Sequence, residues 1–260
     1  MFDKANNLSV RNFMKSLGKF IIFIGQLFVR RESFKTYAVR TVDESIKVGY
    51  NSVFIVVIVS AFMGAVTTVQ TAYNLISPLI ADPIIALVVR DMTLLELAPT
   101  ITAIVYAGKV GSNIAGELGT MKITEQVDAL EVMGINATSY LVLPKIIGSV
   151  LMFPILVILA GFVSIYGGYL TALVTGVISG TDYILGIQMT FIPFAVTFAL
   201  IKAVVFGFLV AAISSYKGYF TTGGALEVGQ SSTNAVTSSC IAILAADYLL
   251  AYLLAPLLTP

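Results

Sequence analysis

The sequence predicts an all-α integral membrane protein: an N-terminal amphipathic helix in the membrane interface, five transmembrane helices, and a short cytoplasmic helix between the second and third spans. Three observations carry the prediction. Of 260 residues, 58% are hydrophobic and 11% charged, against roughly 45–50% and 25% in soluble domains; the mean hydropathy is +0.95. Five stretches reach the ~20 apolar residues that a helix needs to cross a bilayer: 52–76, 94–116, 145–175, 185–212 and 235–257. The Lys and Arg residues fall almost entirely on alternate connections between them.

The elements follow in chain order. Over 12–30, the residues Phe13, Leu17, Phe20, Ile21, Ile24, Leu27 and Phe28 recur at three- and four-residue spacing, with Lys15, Ser16, Lys19, Gln26 and Arg30 off the stripe. That is the pattern of a helix lying in the interface, with Ile22 and Phe23 widening its apolar face. The alternative is a sixth span, but Lys19 and Arg30 bracket too few residues. Arg30 and Arg31 follow the apolar run where a signal peptide would have small residues, so the segment is expected to be retained. The third span is long; Pro154 and the pair Gly167-Gly168 offer points for a kink or a tilt. Nine basic residues precede the first span, three lie towards the connection between the second and third (Lys109 near the end of the second, Lys122 in the connection, Lys145 at the start of the third), and Lys217 lies between the fourth and fifth. With a cytoplasmic N-terminus, thirteen are inside and only Arg90 is outside. The chain is expected to form one domain over 1–260, with its C-terminus outside.

Several chemistries are excluded. There is no His and only one Cys, Cys240, which leaves no His-based metal site, Ser-His-Asp triad or internal disulfide. A net charge of +1 gives no field for nucleic acid. No G-x-x-x-x-G-K-[ST] loop is present. No catalytic residue and no metal ligand is expected.

Two features lie on the cytoplasmic side of the second span. In AGKVGSNIAGELG, Ala107, Gly111, Ala115 and Gly119 are spaced by four, as are Gly108, Ser112 and Gly116. On a helix they form a small-residue ridge that another backbone can approach, within the chain or between subunits. Beyond it, Thr124 is placed to cap a helix over about 124–133, with Glu125, Gln126 and Asp128 in its first turn and Gly134 as its C-cap. Ile123, Val127, Leu130 and Met133 make its apolar side, and Glu125, Asp128 and Glu131 lie elsewhere. An acidic face suits a protein partner better than anionic lipid headgroups.

The run ELAPTITAIVYAGKVGSNIAGELGTMKITEQVDALEVMGIN (Glu96–Asn136) resembles the signature of the MlaE-type permeases, membrane subunits of ABC transporters that move lipids together with MCE-domain proteins. KGYFTTGGALEVGQSSTNAV (Lys217–Val236) and the stretch around Asp247 resemble the same family, so the likeness covers essentially the whole chain. One position departs: Leu95 stands where some members carry a basic residue, which removes any pairing through an adjacent Arg.

The resemblance implies a homodimeric ABC permease in a bacterial inner membrane. Two copies of a cytoplasmic ATPase would hold the ATP and Mg, and a periplasmic MCE-domain protein would receive or deliver phospholipid, in keeping with outer membrane lipid asymmetry. It makes 124–133 the coupling helix, with Glu125, Gln126, Asp128, Leu130, Glu131 and Met133 docking on the ATPase. It implies a lipid cavity walled by the first, second and fifth spans, with Leu94, Leu97 and Phe62 against acyl chains; Gly108, Gly111, Gly116 and Gly119 are expected in helix packing from their spacing alone.

Three charges stand out within the spans, where a charge at the bilayer centre costs at least about 2.5–3.5 kcal/mol. Glu96 sits near the start of the second span beside Pro99, which is placed to loosen the helix. Lys202 lies in the middle of FALIKAVVFG, and Asp247 lies deep in the fifth span. Lys202 is expected either to attract an anionic headgroup or to pair with a carboxylate such as Asp247. All three match residues of the family and are placed in the lipid pathway. The competing class is a stand-alone secondary transporter or channel with Glu96, Lys202 and Asp247 as an ion relay. It finds no support in an internal repeat and gives the acidic helix no role. An intramembrane enzyme is weaker still, for want of His and of paired carboxylates.

Overall fold

A computed structural model describes residues 14–15, 18–27, 34–75 and 81–257, and all its regular structure is helical. Helix α1 covers 18–26. Its buried face is Phe23 and Leu27, with Phe20 and Ile24 packed alongside. Ile21 and Ile22 point outward, so the apolar stripe turns away from Ile21. The cause is a group of rings at the end of a later helix: Phe23 lies 5.6 Å from Tyr216, 5.6 Å from Tyr219 and 5.7 Å from Phe220. Phe13, Leu17 and Phe28 of the expected stripe lie outside the described residues.

Helix α2 runs Phe34–Asn74. Its first turns carry Lys35, Arg40, Asp43, Glu44 and Lys47, and no charge follows them to its end. The expected span 52–76 is thus the apolar shaft of a longer helix with a charged foot, and residue 76 lies outside the described residues. Helix α3 covers 83–123 without interruption. It contains the expected span 94–116 and alternates between two windings: α over Pro83–Met92, π over Thr93–Ile101, α over Thr102–Tyr106, π over Ala107–Gly111, and α over Ser112–Ile123.

Helix α4, Gln126–Val132, is shorter than the expected 124–133. Thr124 does not cap it: Thr124 ends α3, and its hydroxyl donates back to the Thr120 carbonyl. The turn into α4 is made by Glu125 at φ 60°. Its C-terminus follows expectation, with Gly134 at φ 79° and bonds from Gly134 N–H to Glu131 O and from Ile135 N–H to Leu130 O.

Helix α5, Ala137–Thr175, starts where the Asn136 side chain accepts from the Ser139 N–H and ends at Gly176, φ 67°. It pairs along its length with α2. A Cβ on Gly64 would fall 1.8 Å from the Ser164 carbonyl oxygen, and one on Gly167 would fall 2.5 Å from that of Ala61. The Gly167 position therefore serves close approach of two helices.

The expected span 185–212 is divided. Residues 185–188 belong to α6 (Gly180–Gln188), the chain turns over 189–193, and α7 runs Phe194–Tyr219. Thr190 at φ 43° and Pro193, which lacks an N–H, explain the break. Helix α8, Ala225–Leu254, begins where the Gly224 N–H donates to the Glu227 carboxylate at 2.8 Å, and it runs into a 3-10 turn, Ala255–Leu257.

Among the described residues, four helical stretches are long and apolar enough to cross a membrane: Lys35–Asn74, Ala137–Thr175, Phe194–Tyr219 and Ala225–Leu257. The protein is a multi-pass helical membrane protein.

Candidate functional site

Lys202, Glu96 and Asp247 meet. The Lys202 ammonium lies 2.8 Å from the Glu96 carboxylate and 2.7 Å from that of Asp247. The Lys202 side chain is wholly buried, that of Asp247 is 16% exposed and that of Glu96 is 47% exposed. A cation can be carried there because its surroundings supply counter-charge and acceptors. The Phe198 ring, one helical turn away in α7, stands 4.7 Å from the Nζ and adds a cation–π contact.

The three helices bring these groups to one level. Glu96 is thirteen residues into α3, Lys202 eight into α7, and Asp247 ten before Leu257. At 1.5 Å per residue each is roughly 12–20 Å from its helix end, all at the end of the molecule opposite α4.

The π-helical stretch Thr93–Ile101 surrounds Glu96 and contains Pro99. In an α-helix the donor to the Leu95 carbonyl would be residue 99, and proline has none. The winding widens here, and Lys202 donates to Leu95 O at 3.0 Å. Neither π segment nor the role of this carbonyl was expected from the sequence; Pro99 is the signal for the first. Phe198 has no signal in the sequence beyond its i, i+4 relation to Lys202.

The expected acyl-chain residues are distributed differently. Leu97 is half-buried. Leu94 is also half-buried and faces α5, where a Cβ on Gly161 would touch it at 3.5 Å. Phe62 lies in an outward row on α2 with Phe54, Ile58 and Val66.

At the other end, α4 buries Val127 completely and packs Leu130 against the core. Met133 of the expected apolar side is exposed, as is Val132 at 90%. Met133 follows Val127 by six residues, about 120° round the helix, and Gly134 then reverses the chain, so the two do not share a face. Asp128 pairs with Lys122 at 2.6 Å. Glu131 accepts from the Tyr219 hydroxyl at 3.0 Å. Gln126 donates to the Thr124 hydroxyl at 3.1 Å, and Glu125 is exposed. Two of the three acids expected on a free face are thus engaged within the chain.

A second buried cation braces this end. Lys145 of α5 lies 2.6 Å from Glu117 of α3 and 3.1 Å from Glu44 of α2. The ridge row Ala107, Gly111, Ala115, Gly119 is buried. A Cβ on Gly111 would meet Ser214 Oγ of α7 at 2.8 Å, and one on Gly119 would meet Val228 of α8 at 3.3 Å. Gly116 faces Ser232 of α8 at 3.3 Å, whereas Gly108 opens outward. This row packs within the chain.

The family described as Permease MlaE matches residues 41–253. A probable ABC transporter permease protein of Rickettsia bellii (strain RML369-C) is 35% identical over 252 residues, covering 96% of this chain and 97% of the relative. One from Synechocystis sp. (strain ATCC 27184 / PCC 6803 / Kazusa) is 35% identical over 254 residues, covering 98% and 96%. The Arabidopsis thaliana chloroplastic protein TRIGALACTOSYLDIACYLGLYCEROL 1 is 34% identical over 238 residues, covering 88% of this chain and 65% of its own.

Proposed function

This chain belongs to the MlaE permease family, and on that premise we propose that it is the membrane subunit of an ABC transporter that moves phospholipid between an inner membrane and an MCE-domain partner. Its own residues form the path, and a separate cytoplasmic ATPase, with ATP and Mg, drives it. The observation that carries this reading is the Lys202–Glu96–Asp247 cluster: a polar patch within apolar helices, with the Glu96 carboxylate partly open. Such a patch suits a cargo with an apolar body and a polar head. The Arabidopsis relative bears the name of a glycerolipid, which supports a lipid cargo.

Helix α3 completes five crossings, with α1 and α4 at the cytoplasmic face. Helix α4 is the coupling element, and Val132 and Met133 are its free apolar groups. Helix α8 is exposed along most of its length and presents Thr233, Asn234 and Thr237 outward. The Thr233 and Thr237 hydroxyls bond back to the Gly229 and Thr233 carbonyls, but an outward Asn side chain is costly against lipid, which supports a second copy of the chain beside α8. Closure of the ATPase pair would pull on α4 and narrow the space between the two copies.

The test is gentle purification of the tagged chain from its native membrane. An ATPase subunit should co-purify, phospholipid should be retained, and reconstituted lipid movement should require ATP. Transport by the chain alone, without ATP, would replace this reading with a secondary carrier using the three charges as a relay.

A further inference from the structure

Resting on the phospholipid reading above, we propose that the site selects headgroups carrying a positive charge, with the Glu96 carboxylate holding the ammonium of a zwitterionic phospholipid in preference to a purely anionic headgroup. The cluster holds one cation and two carboxylates, so its formal charge is −1. The cation is unavailable to a ligand: Lys202 is wholly buried, and its ammonium is engaged by Glu96, Asp247 and the Leu95 carbonyl. Two of its three N–H groups donate, to Glu96 and to the Leu95 carbonyl, and Asp247 lies against it as an ion pair. The group left facing outward is the anion, since nearly half of the Glu96 side chain is exposed.

The neighbouring cations do not change the sign. Arg90, six residues earlier in α3, is 3% exposed. It pairs with Asp91 at 2.7 Å and donates to the carbonyls of Ile187 and Met189. Lys109 lies thirteen residues beyond Glu96 in α3, roughly 20 Å along the helix, and donates to the Asn51 carbonyl. Leu95 beside Glu96 is apolar. Among the described residues, a headgroup brought to Glu96 therefore meets a carboxylate before any free cation. A phosphodiester without a compensating ammonium is repelled there; ethanolamine offers both a charge and N–H donors.

The experiment uses the full chain with its co-purifying partners. It is exchanged into nanodiscs of equal phosphatidylethanolamine and phosphatidylglycerol with matched acyl chains and re-extracted in mild detergent. The phospholipids that stay bound are quantified by mass spectrometry. Phosphatidylethanolamine should be enriched about three- to fivefold over the bulk ratio, the scale of a partly exposed ion pair. Glu96→Gln should bring the ratio to about one. In the unaltered protein, raising the salt from about 0.05 to 0.5 M should also reduce the enrichment, which provides a readout without a variant. A ratio at or below one in the unaltered protein, or enrichment insensitive to both Glu96→Gln and salt, overturns the proposal. Retention no greater than by an unrelated membrane protein overturns the phospholipid reading with it.

Discussion

The Lys202 ammonium donates at 3.0 Å to the main-chain carbonyl of Leu95, four residues before Pro99. That carbonyl lacks its α-helical donor because Pro99 has no N–H. The proline thus creates an acceptor in a helix interior, and the buried lysine uses it together with two carboxylates. Backbone winding and side-chain charge form one unit, with α3 opened into a π stretch where α7 and α8 deliver their charges. Such π segments are frequent at functional sites.

Removing the cation should therefore cost more than removing either anion. Lys202→Met leaves Glu96 and Asp247 close together without their counter-charge, a loss of about 3–5 kcal/mol for a broken buried pair. Thermal unfolding in detergent should show a large fall for Lys202→Met. The double variant Lys202→Met/Asp247→Asn should regain part of it, giving a coupling energy of about 1 kcal/mol or more. Additive effects of the two changes would mean that the contact contributes nothing.

The α2–α5 pairing depends on the absence of a side chain at Gly64. A Cβ there would lie 1.8 Å from the Ser164 carbonyl oxygen, and that backbone cannot move without shifting α5. Gly64→Val should lose at least about 1–3 kcal/mol through overpacking and reduce the yield of monodisperse protein. Gly108→Ala, at a site where a Cβ meets nothing within 4 Å, is the matched control and should behave as unaltered protein.

Lys145 ties three helices near α4, through Glu117 and Glu44. Lys145→Ala should destabilise the protein by about 3 kcal/mol, because both acids lose a buried partner. Hydrogen exchange should show the loss concentrated in the foot of α2 and the last turns of α3. Exchange that increases uniformly over the chain would show that the brace is not local.

Much of this architecture was legible in the sequence because hydropathy and charge placement act over whole helices. The apolar stretch near 145–175 lies within the long helix α5, and that near 235–257 takes in most of α8 and the 3-10 turn that follows it. The three intramembrane charges stood out individually, as Lys202 in FALIKAVVFG does, but their meeting depends on three helices separated in sequence. Local backbone events were harder to read. The break at 189–193 is set by Thr190 in the left-handed region and by Pro193, inside a stretch apolar enough to pass for one span. The inward face of α1 is chosen by Tyr216, Tyr219 and Phe220, nearly two hundred residues away, so the spacing alone could not separate Phe23 from Ile21. The engagement of Glu131 by Tyr219 is likewise tertiary.

That engagement alters which residues of α4 are expected to bind an ATPase. If docking were driven by acidity, neutralising Glu131 and Asp128 would abolish it. Both are already held within the chain, by Tyr219 and Lys122, while Val132 and Met133 stand 90% and 66% exposed beside them. Exposed apolar groups at the tip of a helix are suited to fill a groove, and burial of each contributes about 1.5–3 kcal/mol. Val132→Ser/Met133→Ser should therefore reduce co-purification of the ATPase by at least tenfold while leaving the thermal stability of the chain nearly unchanged. Glu131→Gln should retain the ATPase and instead lower stability by roughly 1 kcal/mol through the weakened Tyr219 bond. The reverse pattern, with binding lost on Glu131→Gln and kept in the serine variant, would return the docking surface to the acidic face.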